Sequence, residues 1–307
     1  KEVPMKKSII ITLCLIISML STSVVFAMDN ETIKAETEDE EIINVDMNSL
    51  DLSKSKKIEW DEGLVNALKK SAKSSSVTPE NLKQKNEEMD KIISDYCSAH
   101  YDEISGAIYD KALSAADGNN ISINLNENSE EYKKYVNHYD IDDSTSITIT
   151  PDSIYVDEYA EKDISNPTTI SSSAKASTSW KYKDVATRRT LYYKATVNQK
   201  TYSFKIYSAH TGGQVKYNGS IAKHNASYYA YNLAEAYGSP FTFKQIAKQS
   251  EQYSGTSWHY KYLGKVTGSI SITTPVKLKI QFKEKALGCQ VITNKNGSVT
   301  KNYWPSL

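Results

Sequence analysis

The spacing of apolar residues takes three forms along the chain, and each predicts a different element. Residues 8–20, SIIITLCLIISML, form an unbroken apolar run. From Ile58 the period becomes helical: Trp60, Leu64 and Leu68 recur every fourth residue, which places them on one helix face. Thr78-Pro79-Glu80 then offers a hydroxyl cap with proline at the first helical position. Behind it Leu82, Met89, Ile92, Ile93, Tyr96, Cys97, Tyr101, Ile104 and Ile108 mark one long amphipathic helix, running to Ala116 and stopping at Asp117-Gly118. Short strands are predicted at residues 121–125, 146–150 and 154–159, with a helical turn over 130–139.

After residue 180 the period is two. Leu191, Tyr193, Ala195 and Val197 alternate, as do Tyr202, Phe204 and Ile206, with NQK as the turn between them. Gly212-Gly213, Asn218-Gly219 and Asn296-Gly297 are turn dipeptides. Trp258, Tyr260 and Tyr262 alternate again, whereas residues 227–251 suit either a helical turn or an aromatic strand. In PVKLKIQFKEKALG, residues 275–288, Val276, Leu278, Ile280 and Phe282 face one way and Lys277, Lys279, Gln281 and Lys283 the other. The expected class is α+β: a helix-rich N-terminal domain followed by an all-β antiparallel sandwich or barrel-like domain.

The order YYKATV, YSFKIYS, GGQVKYNGS, an aromatic strand, then KLKIQF before Gly288-Cys289 resembles a C-terminal β-domain of uncharacterised secreted Firmicutes proteins. The resemblance covers about 110 residues, the size of one ordinary domain. It implies an extracellular Gram-positive protein and implies no activity.

Composition divides the chain further. Lys6 and Lys7, the apolar run and Val25-Phe26-Ala27 have the order of a signal peptide over residues 1–27, with Met5 as the initiator. The rival reading is an uncleaved anchor, since the run nearly reaches spanning length; the small and hydroxyl residues after Leu20 favour cleavage. Residues 28–57 are acidic and aromatic-free, the composition of a disordered leader. Residues 58–163 make the acidic helix-rich domain, 164–179 a Ser/Thr linker and 180–307 the basic β-domain.

Catalytic constellations are hard to find. His100, His138, His210, His224 and His259 show no metal-ligand spacing, and no phosphate-cradling glycine loop occurs. Cys97 and His100 share a helix face, but mid-helix a thiol gains nothing from the dipole. Cys97 and Cys289 are candidates for a disulfide in an oxidising compartment, or for two buried small residues. The DIDDSTS stretch, residues 140–146, lacks the glycine and glutamate of an EF-hand loop. The sequence therefore leans away from an enzyme and calls for no cofactor or metal.

Charge is the feature that rises above background. Residues 28–163 carry 32 acids and 14 lysines, a net −18; residues 164–307 carry 20 bases and 4 acids, a net +16. Such asymmetry speaks about partners. Lys277, Lys279, Lys283 and Lys285 form the candidate basic face. It either keeps a strand soluble, meets an anionic cell-wall polymer or membrane surface, or contacts the acidic half of the same chain. No specific nucleic-acid motif accompanies it. The expected function is non-catalytic binding of anionic envelope components by a secreted protein. The alternatives are an antimicrobial or toxin-like effector with an acidic neutralising pro-segment and, third, a cell-wall hydrolase.

N-terminal sequencing of protein from culture medium is expected to begin at Met28. A membrane-retained species still carrying Lys6 would identify the apolar run as an anchor instead.

Overall fold

In the computed structural model of the 307-residue chain, the residues described are 41–72, 78–79, 82–116, 120–165, 179–227, 230–237, 241–272 and 278–306. Residues 1–40, which hold the expected signal segment and the first 13 residues of the expected leader, lie outside them. The first half of the chain contains β1 (Glu41–Val45), α1 (Lys57–Ala72), α2 (Leu82–Ala99), α3 (Glu103–Ala115) and β2 (Asn120–Leu125). It continues with the single turn α4 (Glu130–Lys133), β3 (Asn137–Asp142), β4 (Thr145–Ile149) and β5 (Ser153–Ile164). The second half contains β6 (Lys181–Val197), β7 (Lys200–Tyr217), β8 (Ala222–His224) and β9 (Tyr231–Ala236). It ends with β10 (Thr242–Gln252), β11 (Trp258–Ile272), β12 (Leu278–Thr293) and β13 (Val299–Trp304).

Two sheets result. One runs β3-β4-β5-β6-β7-β8, with β9 also on β7; the other runs β1-β2-β12-β11-β10, with β13 also on β12. β1 on β2 and β2 on β12 are parallel, and every other pairing is antiparallel. Helices α1 and α2 cover one face of the first sheet, where Leu64, Leu68 and Ile93 meet Ile147, Ile154 and Val156. Its other face packs on α3 and the second sheet, where Leu191 and Ile206 meet Ile104, Ile121, Val266 and Ile280. β6 is thus covered on both sides, and every residue from Val185 to Val197 is buried. The β6–β7 hairpin closes on Asn198 and Gln199, at φ 51° and 60°. Positive φ at both positions matches the twist of the strands that they join.

The expected helix-rich N-terminal domain is not what the chain forms. Five strands lie before residue 165, and strands from both halves share both sheets. Part of the supposed leader is ordered: Ile43, Val45 and Met47 are buried, because EIINVDM alternates apolar and polar positions within an acidic composition. The long helix over 78–116 is broken after Ala99. Asp102 starts a new helix by accepting hydrogen bonds from the Ile104 and Ser105 amides, both at 3.0 Å, as an N-cap does. Gly212 and Gly213 lie inside β7 rather than in a turn. A Cβ on Gly213 would fall 2.8 Å from the Tyr260 ring, so the glycine serves a close approach. Most of the Ser/Thr linker, residues 166–178, lies outside the described residues. The strands it joins pair up to Ile164 opposite Tyr182, so it connects one hairpin.

Part of the charge imbalance is neutralised inside the molecule. Arg188 meets Glu158 at 2.6 Å and Arg189 meets Asp157 at 3.2 Å, each pair directly opposite across β5 and β6. Lys183 reaches Glu161 at 3.0 Å, Lys194 reaches Asp102, and Lys205 reaches Asp90. In each pair the cation comes from the second half and the carboxylate from the first.

Protein nicked by protease within residues 166–178 is therefore expected to stay one particle on gel filtration without denaturant. Separation into an acidic and a basic fragment would refute the shared sheets.

Candidate functional site

The lysine face does not survive intact as expected from its alternation. Lys279 is exposed, Lys277 lies outside the described residues, and Lys283 is in β12 with its side chain undescribed. Lys285 is the correction: it is buried, at 7% exposure. The cause is a β-bulge. Phe282 pairs with Gly268 and Lys285 with Val266, so Lys283 and Glu284 oppose Thr267 alone. One extra residue reverses which face each later side chain takes. Ile280 faces the core before the bulge; Lys285, Leu287 and Cys289 face it afterwards.

The same bulge opens a cleft. On its free side β12 pairs with β2 as far as Gln281 and with β13 only from Gly288. Among the described residues no strand borders 282–287 on that side. β2 diverges here, leaving a space of about 540 Å³ lined by Ile123, Asn124, Leu125, Tyr193 and Glu284, with Lys285 in its floor. The Lys285 ammonium donates to Asp152 Oδ2 and Glu127 Oε1, both at 2.7 Å. Asp152 Oδ1 accepts from the Tyr132 hydroxyl at 2.8 Å and Thr150 Oγ1 at 3.1 Å. The β4–β5 turn supplies Asp152, and α4 presents Tyr132 after an N-cap at Ser129. Burial alone would raise the Asp152 carboxyl; the ammonium outweighs it and holds the group below the ordinary range. Burial would likewise lower Lys285, and the carboxylates hold it well above its usual value. Sequence reading missed Asp152, Glu127, Tyr132 and Tyr193. The available signal was the phase change from even apolar positions, 280 and 282, to odd ones, 287, 289 and 291.

A second buried ionic group stands beside α1. Lys57 donates to Asp61 at 2.6 Å, Lys194 pairs with Asp102, and the two ammonium groups lie 5.9 and 4.8 Å from the Trp60 ring centre. Burial and then the nearby Lys194 push Lys57 down to about 8.

The cysteines are free and buried, Cys97 under the helices and Cys289 in the core between the sheets. The bridge considered from sequence is not formed, because the first sheet lies between them. Burial pushes the Cys97 thiol up to about 12, far from a thiolate nucleophile. His100 turns its Nδ1 to the Tyr96 carbonyl at 2.9 Å and stacks on the Tyr96 ring. Residues 140–146 span the end of β3, a two-residue turn and the start of β4, and Asp142 accepts from the Ser144 amide and hydroxyl at 2.8 and 2.7 Å. Among the described residues, no group of three His, Cys, Asp or Glu is placed to hold a metal ion.

No family model, no curated protein and no solved structure matches this chain. Its site chemistry therefore rests on its own geometry. Lys285→Gln strands a buried carboxylate and is expected to cost about 3–5 kcal/mol in urea unfolding near neutral pH. Lys279→Gln, at an exposed position, is expected to change stability by less than about 0.5 kcal/mol. Because the folded Asp152 value is depressed, its contribution is present above the ordinary 3.8 and is lost as pH falls through the folded value. The deficit of Lys285→Gln should therefore shrink on acidification below that range. Equal stability of the two variants at neutral pH would contradict the buried pairing.

Proposed function

We propose that the protein is exported and binds an anionic envelope polymer without catalysis, through the basic surface of β10 to β13. One observation carries this reading: residues 242–306 hold ten lysines and two acids, and most of those lysines reach solvent. Lys285 is compensated in the cleft and Lys265 by Glu284. Lys244, Lys248, Lys279, Lys295 and Lys301 are exposed. Register puts Lys244 directly opposite Lys265 across β10 and β11, so these two side chains share one face of the sheet. Lys261 lies 4.6 Å from the Trp304 ring centre, which adds a flat aromatic element beside the charges.

The effector reading, with the acidic half as a removable neutralising segment, has less support. The carboxylates that neutralise Arg188, Arg189 and Lys194 are buried with them, and removing the first half would strip strands from both sheets. A hydrolase has no thiolate, metal cluster or activated histidine behind it among the described residues.

Binding of the mature chain to immobilised poly(glycerol phosphate) is expected near 0.1 M salt and is expected to vanish near 1 M, as the screening length falls from about 10 to about 3 Å. Replacing Lys244, Lys248, Lys279 and Lys295 together by Gln should abolish low-salt binding while leaving urea unfolding unchanged. Salt-insensitive binding, or a variant that binds as wild type, would overturn the proposal.

A further inference from the structure

An amine and a carboxyl held in contact away from water are the two halves of an amide, and Lys285 and Asp152 are held in that way. The ammonium stands 2.7 Å from Asp152 Oδ2. Both side chains are 6% exposed, and the Tyr193 ring centre lies 5.9 Å from the ammonium. The other carboxyl oxygen is turned away from the lysine: Oδ1 accepts from the Tyr132 hydroxyl at 2.8 Å and from Thr150 Oγ1 at 3.1 Å. Two donors fixed on that oxygen stabilise the charge that gathers there when a nucleophile adds to Cγ. A third group touches the lysine from its far side, since Glu127 Oε1 accepts from the same ammonium at 2.7 Å. The backbone holds the carboxyl in place, because the Lys194 amide donates to the Asp152 carbonyl at 2.8 Å.

The other internal ion pairs lack one or more of these parts. Arg188 and Arg189 present guanidinium groups, which stay protonated and do not act as amine nucleophiles. Lys183 faces Glu161 and Asp163, whose side chains are largely solvated. Among the described residues, Lys57 meets the carboxylate of Asp61 alone and Lys194 that of Asp102 alone. Lys285 combines a buried acceptor carboxyl, donors on its far oxygen and a second carboxylate on the amine.

We infer that the folded chain joins Lys285 Nζ to Asp152 Cγ in an amide, with Glu127 as the proton carrier, so that a covalent bond of its own making ties the first sheet to the second. One proton crosses from the ammonium to Asp152 Oδ2, which leaves a free amine beside a neutral acid. The amine lone pair bonds to Cγ, and negative charge collects on Oδ1 between Tyr132 and Thr150. Glu127 takes a second proton from the nitrogen and passes it to Oδ2. The Cγ–Oδ2 bond then breaks, Oδ2 departs as water through the adjoining cleft, and Glu127 ends as it began. One ammonium and one carboxylate become one amide and one water. Until then the two groups behave as the ion pair described above. Contact replaces encounter, an advantage that reaches about 10⁵–10⁸ M in effective concentration for well-aligned groups. Burial is the largest single influence on each group and acts against its charge, whereas the amide carries none and keeps both hydrogen bonds on Oδ1.

The test is the intact mass of the mature chain, kept folded near neutral pH and sampled over days, followed by digestion and tandem mass spectrometry. Wild type is expected to be lighter than its sequence by one water, with Lys285 and Asp152 recovered in one cross-linked peptide pair and no tryptic cut after Lys285. Glu127→Gln still accepts from the ammonium through its amide oxygen but cannot carry the proton. It is expected to lose water about a hundredfold more slowly or not at all, the usual contribution of a positioned acid–base group, and its urea unfolding is measured alongside to show that it folds. Wild type that keeps its full mass after prolonged folded incubation would overturn the inference. So would a lost water with Lys285 still free, or a Glu127→Gln chain that cross-links as fast as wild type. Poly(glycerol phosphate) binding reports on the basic surface and is independent of each of these outcomes.

Discussion

The fold depends on buried ion pairs that join distant parts of one chain. Glu158 with Arg188 and Asp157 with Arg189 sit directly across β5 and β6; Asp102 with Lys194 fastens α3 to β6; Asp152 with Lys285 fastens the first sheet to the second. Apolar alternation alone leaves a strand free to slip by two residues while keeping the same faces inward. A slip here would strand two carboxylates and two guanidinium groups away from water, at a cost well beyond that of lost packing. The charges therefore fix the register that the apolar residues leave open.

That constraint explains why the sequence was legible in parts. Helices α1 and α2 follow from Trp60, Leu64, Leu68 and from Met89, Ile93, Cys97, because a period near 3.6 survives any tertiary context. β6 and β7 were visible from alternation but ran longer than expected, since a strand covered on both faces no longer alternates. β1 was hidden by acidic composition. The break at Asp102 was hidden because an apolar face continues through it. The boundary at residues 164–179 misled most: a contrast in charge looks like two domains, yet the two compositions belong to the two arms of one hairpin.

The lysine positions had the same mixed visibility. A lysine-rich strand is obvious in KLKIQFKEK, but which lysines face water depends on a bulge between residues 282 and 285 that no local rule requires. Before it β12 presents Lys279 to solvent; after it Lys285 turns into the core and meets Asp152. One strand thus contributes both to a basic outer surface and to an acidic cleft.

The pairing of β2 with β12 also sets an order of assembly. Ser122 and Gln281, neighbours in the second sheet, are 159 positions apart in the chain. β1 and β2 consequently have no central strand to join until nearly all of the polypeptide has been synthesised. Contacts this remote close slowly, because the intervening loop must give up its entropy first. A nascent chain of this design leaves its earliest strands without their sheet until its last segments are made.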